Sequence, residues 1–217
     1  MTEAAQVRGD GVGPGRTSWT DIMVDTETLG KAPSAVVFSV AAVPFNMLTG
    51  KVADKKESFS AVFSIAECEG RSLSVDADTK EWWLQQTPEA QSKLAQAYLL
   101  ETTGTGGSWS ALAGWFQLHP GCRVWGNGAA FDLAKLHHNF HIRNIEVPWD
   151  FWNERCFRTL RSLAPPDFGR TRPVIAHDAY HDAVAQAIHA PAITGSVRRH
   201  GIPGLLVAIT RPFPELD

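Results

Sequence analysis

The sequence predicts an α/β domain on a mixed sheet, and two observations carry that prediction. Between about residues 20 and 65, three apolar segments follow one another across polar, turn-like joints, the pattern of consecutive strands. From residue 76 onward, helix-like stretches alternate with one or more shorter apolar runs. Early antiparallel strands followed by helix–strand alternation fit a mixed α/β sheet.

The strands are expected over Asp21 to Asp25, Ala35 to Phe45 and Glu57 to Ile65, with NMLTGK after the second as a hairpin-compatible turn. A polar linker leads to a helix over Asp76–Gln86. Pro88 then sits near the start of the next helix, TPEAQSKLAQAYLL, where its missing N–H costs nothing. GTGGS reads as a loop, and Ser108 as the cap of a helix running to about Leu118. Cys122 to Trp125 is a short apolar strand, from which GNGAAFDLAKLHHNF turns into a helix. Trp152 to Leu163 supplies a short strand or helix, and APPDFGRTRP a loop. A last helix is expected over Asp178 to Ala190, stopped by Pro191. The Gly-rich first residues (RGDGVGPGRTS) read as a disordered arm without a phosphate-cradling glycine motif. In the tail, GLLVAI is open to three readings: an extra strand, a homodimer contact, or packing on the core.

Composition sets bounds on function. The 217 residues are 44% hydrophobic and 20% charged, enough for one domain with a sizeable core. The net charge of −3 argues against broad, basic-surface binding of nucleic acid, although not against gripping a few terminal nucleotides. Cys68, Cys122 and Cys156 are odd in number and lack C-x-x-C spacing, so they read as free thiols of a reducing cytoplasm. No run of about 18 apolar residues is present, and no basic start precedes an apolar core, so neither a membrane span nor a signal peptide is expected.

Chemistry concentrates in four carboxylates and a histidine. Asp25 and Glu27 end the first apolar run two residues apart, so a strand there puts both on one face. Asp132 follows the short strand closed by Gly126 and Gly128, and Asp182 sits in the alanine-rich helix with His177 five residues upstream. Four acids brought together cannot all stay ionised without a counter-charge. Oxygen ligands favour hard divalent cations, and two such ions make the clamp used for phosphodiester cleavage. His137, His138 and His141 also invite a zinc reading. They lack a completing glutamate or nearby cysteine, so a solvated helix face is preferred.

The order D-x-E, central D, H-x-x-x-x-D resembles the DEDDh 3′→5′ exonucleases, and within them the phage exodeoxyribonuclease group and its bacterial exoribonuclease relatives. MVDTETLGKAPSAVV, EWWLQQ, VWGNGAAFD and PWDFWNERCFRTL carry the resemblance. It implies a ribonuclease-H-like mixed five-stranded sheet flanked by helices. The expected organisation is an exonuclease domain over residues 20–193, after a flexible arm (1–19) and before a C-terminal extension (194–217). It further implies that Asp25, Glu27, Asp132 and Asp182 hold two Mg²⁺ or Mn²⁺ ions, with His177 as general base. The tyrosine branch of the family would need Tyr at position 178, which is Asp178, and His181 then reads as an outward-facing helix residue. Thr26, Thr28 and Leu29 would meet the 3′-terminal nucleotide, with Leu29 wedging against a base. Asn127 and Phe131 would line the approach to Asp132. Trp82 and Trp83 either stack bases, with Trp83 the expected contact, or divide into one core and one half-exposed ring. Arg155, Arg158 and Arg161 read as phosphate contacts or a solvated face. The expected partner is a DNA or RNA 3′ end, cut to nucleoside 5′-monophosphates. A nuclease-like scaffold that binds without cutting is the alternative of another class, and such relics tend to lose acids that are intact in this chain.

Overall fold

Strand β1 (Asp21–Thr28) lies at the centre of the sheet because both its faces are apolar enough to bury. The computed structural model describes residues 19–103, 107–165, 168–169 and 171–201. The Gly-rich arm up to residue 18 and the GLLVAI segment lie outside the described residues. β1 pairs antiparallel with β2 (Val37–Phe45), which pairs antiparallel with β3 (Phe59–Val62). On its other side β1 runs parallel to β4 (Arg123–Gly126), and β4 parallel to β5 (Glu154–Cys156). The resulting order, β3-β2-β1-β4-β5, is the expected mixed five-stranded sheet.

Alternation along β1 decides what covers each face. Ile22 and Val24 join a core under helices α4 (Trp109–Gln117) and α5 (Asp132–His141), with Leu112, Phe116, Leu136 and Phe140. Met23 points the other way, with Ala41, Val43 and Trp125, against Ala183, Ala187 and Ile193 of helix α7 (Ala179–His200). The small side chains of α7 let its backbone lie close to the sheet. A third cluster, around Leu29, Phe38 and Trp83, packs helices α1 (Ile65–Glu69), α2 (Ala77–Leu84) and α3 (Pro88–Thr103) over one end.

Several boundaries depart from the sequence reading: the first strand runs on to Thr28 instead of ending at Asp25, and the second begins at Val37 instead of Ala35. The third strand ends at Val62, because Ser64 accepts the Glu67 N–H and starts α1. The segment Trp152 to Leu163 divides into a 3₁₀ turn (Phe151–Asn153), β5 and helix α6 (Phe157–Ser162). Pro191 does not stop the last helix: α7 continues to His200, so the boundary expected after residue 193 falls inside it. An internal proline forfeits a backbone hydrogen bond and costs about 3 kcal/mol. Ile193, fully buried, and Val197, packed on the same cluster, offset it. Gly201 closes the helix at φ +75°, donating its N–H to the Val197 carbonyl.

Candidate active site

Because β1 and β4 are parallel, their carboxyl ends open on the same edge of the sheet, the usual place for a site in such folds. Asp25 and Glu27 stand at the end of β1, on the face covered by α7. The turn after β4 passes through Gly128, at φ +113°, and delivers Asp132 at the start of α5. Gly126 lets the turn pass close to this acid: a Cβ there would lie 3.0 Å from the Asp132 Cβ and press on it. Asp182 enters from the first turn of α7, whose N-cap, Asp178, accepts the N–H groups of Tyr180 and His181.

Carboxylate oxygens of Asp25, Glu27 and Asp182 all lie within 4.8 Å of one another. Few donors meet them. The Gln186 side-chain amide donates to Asp25 at 2.7 Å, and the His177 backbone N–H donates to Asp182 at 2.7 Å. The Thr26 hydroxyl donates to one oxygen of Asp132 at 2.8 Å, while the other is buried and without a hydrogen-bond partner. Burial raises all four acids. Asp25 stands well above its ordinary value through desolvation, then through Asp132, Glu27 and Asp182. Glu27 is pushed up to about 8 by burial, Asp182, Asp132 and Asp178. Asp132 rises to about 6 by burial against the pull of Thr26 and Lys135. Asp182 rises by burial, restrained by the His177 N–H. Crowded, buried, oxygen-only donors with an orphaned acceptor fit a hard divalent cation.

Beside the acids a cleft of about 500 Å³ is lined by Thr26, Glu27, Thr28, Gly30, Lys31, Asp78, Thr79, Trp82, Trp83 and Phe131. Here several expected contacts change character. Leu29 is fully buried among Val36, Phe38 and Trp83, so its side chain is core and not a wedge against a base. Trp83 is 2% exposed, donates its indole N–H to the Thr28 carbonyl at 2.9 Å and stands edge-on to Phe38. Trp82, 40% exposed, keeps part of its ring open to the cleft. Thr26 is occupied with Asp132, and the Thr28 hydroxyl donates to the Gly30 carbonyl. Phe131 lines this cleft, and Asn127 lines a second one, with Arg161, Arg172, Asp182 and Gln186.

His177 adopts φ +61° and packs its ring edge-on against Trp82, at 4.8 Å between centroids, which places it beside the cleft mouth. His181 is half-buried, not outward-facing: its Nδ1 lies 3.1 Å from Asp178. His137 pairs with Glu154 next to Trp149, and among the described residues the one group placed to share a metal is the acidic one. Arg155 donates to the Trp152 and Glu154 carbonyls and Arg158 to that of Asn127, which ties both to backbone. All three cysteines are free.

Sequence reasoning missed two residues. Lys135 is completely buried; it donates to the Lys31 carbonyl at 3.2 Å, covers the Phe131 ring and is lowered to about 8 by burial despite Asp132 and Asp76. Its signal was a lysine at a core-facing position of α5, three residues after Asp132. Gln186 lies four residues after Asp182, and therefore on the same helix face, among small apolar neighbours.

Comparisons with known proteins agree with this geometry. The family described as 3′-5′ exoribonuclease Rv2179c-like domain matches residues 20–195. The exodeoxyribonuclease of enterobacteria phage T4 is 26% identical over 194 residues, covering 75% of this chain and 83% of that protein. Among solved structures, E. coli exonuclease I in complex with a 5cy-dA13 oligonucleotide superposes with a TM-score of 0.53 at 14% identity, over 86% of this chain and 42% of that one. Cell-death related nuclease 4 superposes at 0.50 and 13% identity, over 83% of this chain and 64% of that one. The chain thus spans less than half the length of exonuclease I, and these structural likenesses establish the fold. Among the described residues no helix is long and apolar enough to cross a membrane.

Proposed function

The chain belongs to the Rv2179c-like 3′-5′ exoribonuclease domain family, within the DEDDh-type 3′-5′ exonucleases, and from that premise we propose that it is a two-metal enzyme trimming single-stranded DNA or 3′ overhangs to nucleoside 5′-monophosphates. The observation that carries this reading is the group of buried Asp25 and Glu27 with half-buried Asp182, whose oxygens lie within 4.8 Å of one another, with buried Asp132 alongside. These four residues would hold Mg²⁺ or Mn²⁺. When bound, two such ions supply charge stabilisation at the attacking and leaving oxygens of an in-line displacement.

The chain's own groups do the rest. His177 takes the proton of the attacking water at a ring nitrogen, a role suited to an imidazole near neutral pH. Its backbone N–H to Asp182 and its ring contact with Trp82 hold it at the cleft mouth. Trp82 offers its exposed face to the terminal base, while Phe131 and the buried Trp83 shape the wall. Thr26 keeps the Asp132 carboxylate oriented. The water oxygen bonds to phosphorus as the P–O3′ bond breaks, the departing 3′-oxygen takes a proton from solvent, His177 returns its proton to solvent, and the released nucleotide keeps the phosphate on its 5′ side.

The relationship to the phage exodeoxyribonuclease supports DNA as the polymer. RNA is the second reading, favoured by the family's description as an exoribonuclease. The three free thiols support a reducing cytoplasm as the working compartment. The test uses matched 5′-labelled DNA and RNA oligomers with Mg²⁺ or Mn²⁺. A ladder of progressively shorter labelled products is expected, faster on DNA, with uncut circular single strands and no products in chelator. Immediate release of a labelled mononucleotide would reverse the polarity, and full activity in chelator would overturn the metal mechanism.

A further inference from the structure

Gln186 is a buried polar residue among the alanines Ala183, Ala185, Ala187 and Ala190 of α7, which also buries His189 and Ser196. It is 8% exposed, and it lies one helical turn beyond Asp182 on the same face. Its Nε2 donates to the Asp25 carboxylate at 2.7 Å, which fixes the amide and leaves Oε1 as its only acceptor. That Oε1 is buried and has no hydrogen-bond partner. A buried acceptor without a donor is costly, and a helix this close to the sheet has room for alanine in its place. The residue also lines the second cleft, of about 380 Å³, together with Asp182 and Asn127. This cleft shares no lining residue with the aromatic one, so it approaches the acids from a different side.

We infer that Gln186 is a positioning residue that works in both directions: its N–H clamps Asp25, and its Oε1 would receive a hydrogen bond from water on a cation held by the acids. The inference rests on reading the four acids as a cation site. Water on a divalent cation is a strengthened donor, and the orphaned Oε1 is an acceptor enclosed beside the carboxylates. Such outer contacts tune metal affinity, and their loss typically weakens binding about 10- to 100-fold.

The probe is Mn²⁺, titrated into the full chain and followed by the electron paramagnetic resonance signal of the free ion. Gln186→Met keeps length and volume but removes donor and acceptor. It should bind Mn²⁺ about 10- to 100-fold more weakly, while melting cooperatively in chelator. The Mn²⁺ concentration giving half-maximal activity should move by the same factor. Gln186→Glu keeps an acceptor at Oε1 but replaces the donor with a negative oxygen facing Asp25. It should bind Mn²⁺ at least as tightly as the unmodified protein and melt lower in chelator. Unchanged affinity in Gln186→Met overturns the inference and leaves the metal mechanism standing. Affinity in Gln186→Glu as weak as in Gln186→Met overturns the role of Oε1. A parent protein that binds no Mn²⁺ removes the cation site itself, and this inference with it.

Discussion

The two ends of β1 carry buried acids on the same face, and they are treated in opposite ways. Asp21 is completely buried and saturated with donors: Thr20 at 2.6 Å, two nitrogens of Arg123 at 2.7 Å each, and the Trp125 indole at 2.7 Å. Asp25 and Glu27, two and three repeats of the pleat further on, are nearly as buried and crowded by other carboxylates, with the Gln186 amide on Asp25. Burial alone therefore separates nothing. An acid whose charge is answered inside the protein belongs to the fold, whereas a group of acids left unanswered is arranged for something the protein binds.

The sharpest way to break this comparison is to neutralise one acid at each end. Asp25→Asn should lower turnover by about 10⁴-fold or more, while its melting point in chelator stays level or rises, because a repulsion is relieved. Asp21→Asn should do the reverse. Asn offers one acceptor where Thr20, Arg123 and the Trp125 indole converge, so buried donors lose their partner at about 1–3 kcal/mol, a fall of roughly 2–12 °C in Tm for a chain of this size. Activity per folded molecule should persist. If Asp25→Asn melts far lower and loses activity only in proportion, the site end of β1 is structural too.

The histidines give the next contrast. His177→Ala should cost about 10²- to 10⁴-fold in kcat with Mn²⁺ binding retained. His181→Ala, which removes contacts with Asp178 and the Tyr180 ring, should stay within a few-fold. Steady-state rates of the two variants decide it, and a dead His181→Ala beside an active His177→Ala would shift the motif register.

The smallest effect separates the two tryptophans. Trp82→Ala should raise KM on single strands by about five- to a hundredfold, the equivalent of about 1–3 kcal/mol of stacking, with Tm nearly unchanged. Trp83→Ala should instead lose about 3–5 kcal/mol of stability in a denaturant melt. Equal effects of the two variants on KM would return Trp83 to the substrate side.

What the sequence showed and hid follows from the same physics. Period-two spacing placed Asp25 and Glu27 on one face, and the order of turns and apolar runs gave the mixed sheet and the elements bearing Asp132 and Asp182. Ser64 with Glu67 was a readable capping pattern, overlooked because the apolar run continued through Ile65. Pro191 was read by its local cost, which tertiary burial of Ile193 overrides. The partition of Trp82 from Trp83, the burial of Leu29 and the pairing of Gln186 with Asp25 depend on contacts between residues 55 to 161 positions apart or on packing. No local pattern encodes them.

The central claim, that the far end of β1 waits for a cation while the near end is complete, is tested most directly by thermal melting against pH with and without Mn²⁺. Glu27 has an ordinary value of 4.5 and is held at about 8 in the folded protein. Between those values the folded state binds more protons than the unfolded chain, so stability in chelator should fall as pH rises from about 5 to 8. Asp25, also raised, adds to that slope. Mn²⁺ should abolish the slope and raise Tm most at the alkaline end, and Asp25→Asn should weaken both responses, whereas Asp21→Asn should keep them on a lower baseline. A melting point in chelator that is flat or rising over this range, and indifferent to Mn²⁺, would contradict the account.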